Sequence, residues 1–180
     1  MAYSLVAGSA LALVSLKSGP MIERNMLAAE ESARVKVLPG MIGGFEVVDG
    51  DDGFRYWRGF RDAEKTEIGG YVFVARGKGY SSVIESMVGV DITGKVTGAD
   101  VLFQQETPGL GDRVNEIRHG ESEPWFPRQF NGLPAGTPIG VDKDGGTIDS
   151  IAGATISSRA MTNSIHRGLV QLKDNVGGFR

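Results

Sequence analysis

The sequence predicts an α+β fold: a mainly antiparallel sheet with packed helices, preceded by an N-terminal transmembrane helix. Three observations predict it. Short β-rich runs between Phe45 and Phe103 are separated by Asp-Gly and Gly-Gly turns, with no room for the crossover helices that parallel strands need. After Ser158 the apolar residues Met161, Ile165, Leu169, Leu172 and Val176 recur at the spacing of an amphipathic helix. From Met1 to Leu16 no side chain is charged, as a membrane anchor requires.

Composition narrows the chemistry. At 180 residues the chain has the length of one domain plus an extension. The net charge is -3, with Lys and Arg scattered rather than clustered, so no basic field serves a nucleic acid and no nucleic-acid partner is expected. The chain has no cysteine, which removes disulfides, thiolate metal sites, cysteine-held iron–sulfur clusters and cysteine nucleophiles together. Its two histidines, His119 and His166, lie too far apart to read as a metal-ligand pair, and neither sits in a recognisable hydrolytic-triad context. Neither a metal site nor a catalytic residue is expected, and any redox chemistry would use a borrowed organic cofactor. The 27 glycines imply many tight turns.

In chain order, residues 1–21 read as the anchor. The run is short against the roughly 20 residues of a full span, but Lys17 can snorkel and Gly19-Pro20 ends the helix. A cleaved signal peptide is the competing reading; no Lys or Arg precedes the apolar run and no A-x-A site follows it. Residues 22–40 read as a helical stalk, with Glu23, Arg24, Glu30, Glu31, Arg34 and Lys36 outside and Ile22, Met26, Ala29 and Ala33 inward, closed by Pro39-Gly40. Residues 41–180 form the domain. Its strands are expected over Phe45–Val48, Phe54–Phe60, Tyr71–Ala75, Tyr80–Val90 and Val96–Phe103, the last two joined by a hairpin turn at Gly94.

Two stretches carry chemistry. Glu106-Thr107-Pro108-Gly109-Leu110-Gly111 combines a fixed dihedral at Pro108 with glycines that permit positive ones, so the loop can turn back and offer bare amides to a flat ring. For this string by itself a plain turn is the plainer reading. Asp149-Ser150-Ile151-Ala152-Gly153-Ala154-Thr155-Ile156-Ser157 enters the C-terminal helix, with Ser157 or Ser158 as its N-cap. The small residues before it leave room for a negative group beside Thr155 and the helix's free amides. A capping Thr or Ser without any ligand is the plainer reading. Trp125-Phe126-Pro127 reads as core rather than as a cover for a ligand, and Lys143 as a solvated turn lysine.

Together, Asp149-x-x-Ala152-Gly153-Ala154-Thr155-x-Ser157 and Glu106-Thr107-Pro108-Gly109-Leu110-Gly111 resemble the two motifs of the FMN-binding domain shared by the G component of the Rnf complex and the C component of the sodium-pumping NADH:quinone reductase. Gly79-Tyr80 and Gly89-Val90-Asp91 resemble the same family, so the likeness runs from about residue 70 to the C-terminal helix. The resemblance implies FMN carried through a phosphoester on Thr155, attached by a separate flavin transferase that reads Asp149 and Gly153. It also implies Glu106 and Thr107 as polar contacts of the ring, Leu110 packed against it, Gly109 and Gly111 shaping the loop, and Ala154 and Ser157 beside the attachment point. The sequence departs from the family at Ala152, where Ser or Thr is usual.

The short chain is closer to the Rnf branch. On that likeness it is expected to be an electron-carrying flavoprotein subunit, with other membrane and redox subunits as partners. Their complex would couple electron transfer between ferredoxin and NAD to ion translocation. The domain is expected outside the cytoplasm, on a single-pass anchor in the inner (plasma) membrane. A membrane-tethered structural or ligand-binding module without flavin is the competing reading, kept open by Ala152.

Overall fold

The computed structural model describes Met21, residues 24–50 and residues 53–179. Residues 1–20 of the expected anchor lie outside these residues, as do Ile22 and Glu23. Among the described residues no helix is long and apolar enough to cross a membrane. The chain divides into two compact units, Met1–Ser32 and Ala33–Arg180.

The larger unit is built on a five-stranded antiparallel meander in the order β1 (Gly44–Asp49), β2 (Arg55–Phe60), β3 (Ile68–Lys78), β4 (Val83–Asp91) and β5 (Val96–Phe103). Every connection joins neighbours, as the lack of room for crossovers dictates. Gly94, at φ 84°, turns the β4–β5 hairpin, where Asp91 also accepts bonds from the Thr93 and Lys95 amides. The fourth strand starts later than its sequence pattern implies. Residues 79–82 form the β3–β4 turn, closed by the Gly79 amide on the Ser82 carbonyl at 2.8 Å, and β3 continues to Lys78 instead.

Strand alternation sorts the side chains onto two faces. The cross-strand row Tyr56, Phe73, Val88 and Ala99 lies in the main core with Ile84 and Val90. The opposite face carries Val72 and Met87, covered by Ala33, Val37 and Leu38. Residues 24–37 form helix α1. Of its side chains expected to face inward, Met26 and Ala29 are exposed and Ala33 is buried. The helix end is received by a glycine seat: a Cβ on Gly89 would lie 2.2 Å from the Val37 carbonyl, and one on Gly70 2.9 Å from Leu38 Cδ1.

Between β5 and the C-terminal helix the backbone is mostly irregular, with the short helix α2 (Trp125–Arg128) and two single 3-10 turns, Gly111–Asn115 and Asp142–Asp144. It is nonetheless packed, because Val114, Trp125, Phe126, Phe130, Ile139, Ile148 and Ile151 all enter the main core. Helix α3 (Thr155–Asn175) lays Met161, Ile165, Leu169 and Leu172 on the sheet. It approaches β3 closely: a Cβ on Gly168 would lie 2.1 Å from the Phe73 ring, and one on Gly77 2.1 Å from the Ala160 carbonyl. The helix starts at Thr155, not after Ser157 or Ser158. Ala154 stands at the N-cap, where its methyl can accept no hydrogen bond, and the left-handed turn at Gly153 (φ 79°) comes immediately before it. Val176 falls just past the helix, where the Gly178 and Gly177 amides return to the Lys173 and Asp174 carbonyls in a Schellman-type ending.

Candidate functional site

The two chemical stretches meet. The loop after β5 and the entry to α3 line one cleft of about 480 Å³, formed by Tyr80, Glu106, Thr107, Leu110, Gly111, Gly153, Ala154, Thr155, Ile156 and Ser157. Of the expected site residues only Gly109 and Asp149 are outside this lining. Gly109 is exposed in the loop at φ 77°, and Asp149 is exposed on the approach to α3.

The cleft floor is organised by Glu106. Its carboxylate accepts hydrogen bonds from the amides of Tyr80 (3.0 Å), Ser81 (3.0 Å) and Ser82 (2.8 Å) and from the hydroxyls of Ser82 (3.1 Å) and Ser157 (2.5 Å). Three otherwise separate pieces, the β3–β4 turn, the loop after β5 and the first turn of α3, are thereby tied to one side chain. Burial pushes the Glu106 carboxyl up, but the bonds from Ser157, Ser82, Tyr80 and Ser81 outweigh it and hold the group below the ordinary glutamate range. The neighbouring glycines make room for it. A Cβ on Gly79 would lie 2.6 Å from Glu106 Oε1, and one on Gly111 2.7 Å from Oε2. Gly111 therefore serves close approach and has no positive φ, whereas Gly109 does. Thr107 is exposed, with its hydroxyl 3.3 Å from that of Ser81.

The far wall is the entry to α3. Thr155 is half-buried at its first position, where the leading amides of a helix have no carbonyl of their own to bond. The turn before it and the helix entry are tied down by four sets of bonds. The Gln129 side-chain amide bonds the Asp149 backbone at both N–H (2.7 Å) and carbonyl (3.2 Å). Asp142 accepts from the Ser150 amide at 3.0 Å, and Asp144 takes a two-pronged bond from Arg159 at 2.7 and 2.6 Å. Ser158 accepts from the Ile151 amide at 2.9 Å and donates to the Ala154 carbonyl. With Ser157 on Glu106 and Ser158 on this turn, both serines hold the cleft together.

Large apolar side chains stand exposed around the opening: Tyr80 is 73% exposed, Ile156 51% and Leu110 43%. Tyr80 and Ile156 were not singled out as site residues from sequence. Tyr80 follows a turn glycine and Ile156 is one apolar residue in a mixed run, so only their exposure in the fold marks them. None of the lining residues is basic. Lys143 pairs with Asp142 at 3.4 Å and does not line the cleft. Trp125 and Phe126 are core: the indole donates to Glu116 at 3.0 Å and carries the Arg118 guanidinium at 3.6 Å over its ring.

Residues 79–170 match the FMN-binding domain family. The G component of the ion-translocating oxidoreductase complex of Cereibacter sphaeroides is 34% identical over 179 residues, 93% of this chain and 78% of that protein. The corresponding G component of Pseudomonas aeruginosa is 42% identical over 94 residues, which are 51% of this chain and 42% of that protein; the chain thus spans less than half of that relative. The crystal structure of the C component of the Na(+)-translocating NADH-quinone reductase from Parabacteroides distasonis shares the fold, with a TM-score of 0.51 at 22% identity over 76% of this chain and 63% of that one.

Proposed function

The chain belongs to the FMN-binding domain family, and from that premise we propose that it carries electrons on an FMN bound covalently to Thr155. The complex it serves is a membrane assembly of Rnf type, coupling electron transfer between ferredoxin and NAD to ion translocation. A flavin transferase loads it, reading Asp149 and Gly153, and the other membrane and redox subunits are its working partners. On this reading residues 1–21 anchor the chain and residues 22–40 form the stalk, its end packed on the sheet through Ala33, Val37 and Leu38, while residues 41–180 hold the flavin on the periplasmic or extracellular side.

One observation carries this reading: two stretches far apart in sequence and joined by mostly irregular backbone, the loop at Glu106 to Gly111 and the turn into Thr155, face each other across one cleft. Its volume of about 480 Å³ is within the roughly 300–1,000 Å³ of small-molecule sites. The leading amides of α3 suit a phosphoryl group beside Thr155, and Tyr80, Leu110 and Ile156 offer apolar surface to a flat ring. The absence of a basic lining residue favours a covalent link. A free phosphate monoester brings about two negative charges at neutral pH and would meet only helix amides, whereas a diester to the Thr155 hydroxyl keeps one. FMN supplies the redox chemistry when bound; the chain fixes its position and the charges around it.

The test is the intact mass of the protein produced together with a flavin transferase. The expected result is a gain equal to FMN less one water, lost in Thr155→Ala. Survival of the adduct in that variant would move the attachment elsewhere and sink the assignment.

A further inference from the structure

We propose that Glu106 is the positioning residue of this cleft and that its fixed negative charge lowers the reduction potential of the group held there. The inference rests on the reading of Thr155 as the FMN site and adds to it a role for a residue that sequence comparison would count as a direct ring contact. The geometry assigns Glu106 differently. Both carboxylate oxygens are engaged by the protein itself, one by Ser81 and Ser82 and the other by Tyr80 and Ser157, and Gly79 and Gly111 close in on the group. A side chain so engaged cannot swing out to bond a ligand. It fixes where Tyr80 and the first turn of α3 stand, and through them the width of the cleft.

The charge has a second effect. Glu106 is 6% exposed, and no basic side chain lines the cleft to neutralise it. Away from bulk water a fixed charge acts through a lower effective dielectric. Its hydrogen bonds keep the carboxyl ionised at neutral pH. Two electrons taken up with one proton add one negative charge to the cleft, and the Glu106 carboxylate raises the energy of that charge.

The experiment measures the midpoint potential of the covalently loaded full-length protein by spectroelectrochemistry with soluble redox mediators as electron donors. Glu106→Gln keeps the size of the side chain and removes the charge. It should shift the oxidised-to-reduced equilibrium toward the reduced form by about tenfold, which is about 30 mV for a two-electron couple. Ser157→Ala breaks one bond of the clamp and keeps the charge, so its equilibrium should move by less than about twofold. A similar shift in both variants, or none in Glu106→Gln, would overturn the proposal. Thr107→Lys provides a second route if Glu106→Gln does not fold: it adds an opposing charge to the wall and leaves Glu106 in place. A shift in the same direction supports the proposal and an unmoved potential overturns it. Wild-type protein that takes up no flavin beside its transferase would overturn the site reading and this inference together. Loaded protein with an insensitive potential overturns the inference alone.

Discussion

Ser157 on the first turn of α3 donates its hydroxyl to Glu106 at 2.5 Å, across 51 residues of sequence. This contact joins the two motif stretches directly, and its energetics are testable apart from any cofactor. Glu106→Ala leaves three backbone amides without their acceptor, at about 1–3 kcal/mol for each one that stays buried. A loss of about 3 kcal/mol or more is expected in urea unfolding, against about 1–2 kcal/mol for Ser157→Ala. Equal losses in the two variants would show that the carboxylate is not the centre of the network.

The same group sets an acid limit. The folded pKa of Glu106 lies below its ordinary value, so its contribution is fully present above the unfolded glutamate value of about 4.3 and is lost as pH falls through the folded value. The stability difference between wild type and Glu106→Gln should be constant from pH 7 down to about 5 and shrink below about 4. A difference that grows on acidification would reverse the sign and refute the assignment.

Asp142 offers a cleaner titration on the other side of the cleft. Bonds from the Ser150 side chain and amide and from Lys143 outweigh desolvation and hold its carboxyl at about 2. Its share of the turn's stability is therefore present above the ordinary aspartate value of about 3.9 and disappears only as pH falls through about 2. Carboxyl NMR should find Asp142 titrating near that value, and closer to the ordinary one in Ser150→Ala. An unshifted Asp142 in the wild type would mean that the strap over the motif does not form in solution.

Gly109 and Gly111 separate two uses of glycine within one loop. Gly109 has a positive φ with nothing near its missing Cβ, so Gly109→Val costs mainly backbone strain, about 1–2 kcal/mol. A Cβ on Gly111 would lie 2.5 Å from Ser157 Oγ, and Gly111→Ala should cost about 2–3 kcal/mol through forced repacking. In loaded protein, Gly109→Val should alter the flavin absorption spectrum while the covalent adduct remains. An unchanged spectrum in a folded variant would reduce the loop to a turn.

The sheet was legible because its β-rich runs are short and its turns are marked by glycine, as at Gly94. The face of α3 was legible from Met161 to Leu172 by period alone. The start of α3 was not, because serines at 157 and 158 look like caps while the turn is made by Gly153 and a bare Ala154. Met26 and Ala29 keep the period of a buried stripe yet are exposed, and burial begins at Ala33, which packs with Val37 and Leu38 against Val72 and Met87 of the sheet. Periodicity records what could be buried, and the partner surface decides where burial begins. At the cleft, the resemblance named eight of the ten residues that line it and none of the wiring between them. Glu106 bonds Tyr80, Ser81, Ser82 and Ser157, and nothing in a linear string announces partners 24 to 51 positions away.

The proposed location rests on the uncharged run Met1 to Leu16. A lipid-exposed backbone must satisfy its polar groups internally, which a helix through this run would do, and its apolar surface would be costly to leave in water. Full-length protein should therefore sediment with membranes and resist a high-salt wash. Deleting Met1 to Gly19 should release a soluble protein that still accepts FMN, since both cleft stretches belong to the compact unit Ala33–Arg180. Protease added to intact spheroplasts should digest the domain. Protection until lysis would place it on the cytoplasmic side and count against the proposed topology, while soluble full-length protein would remove the anchor.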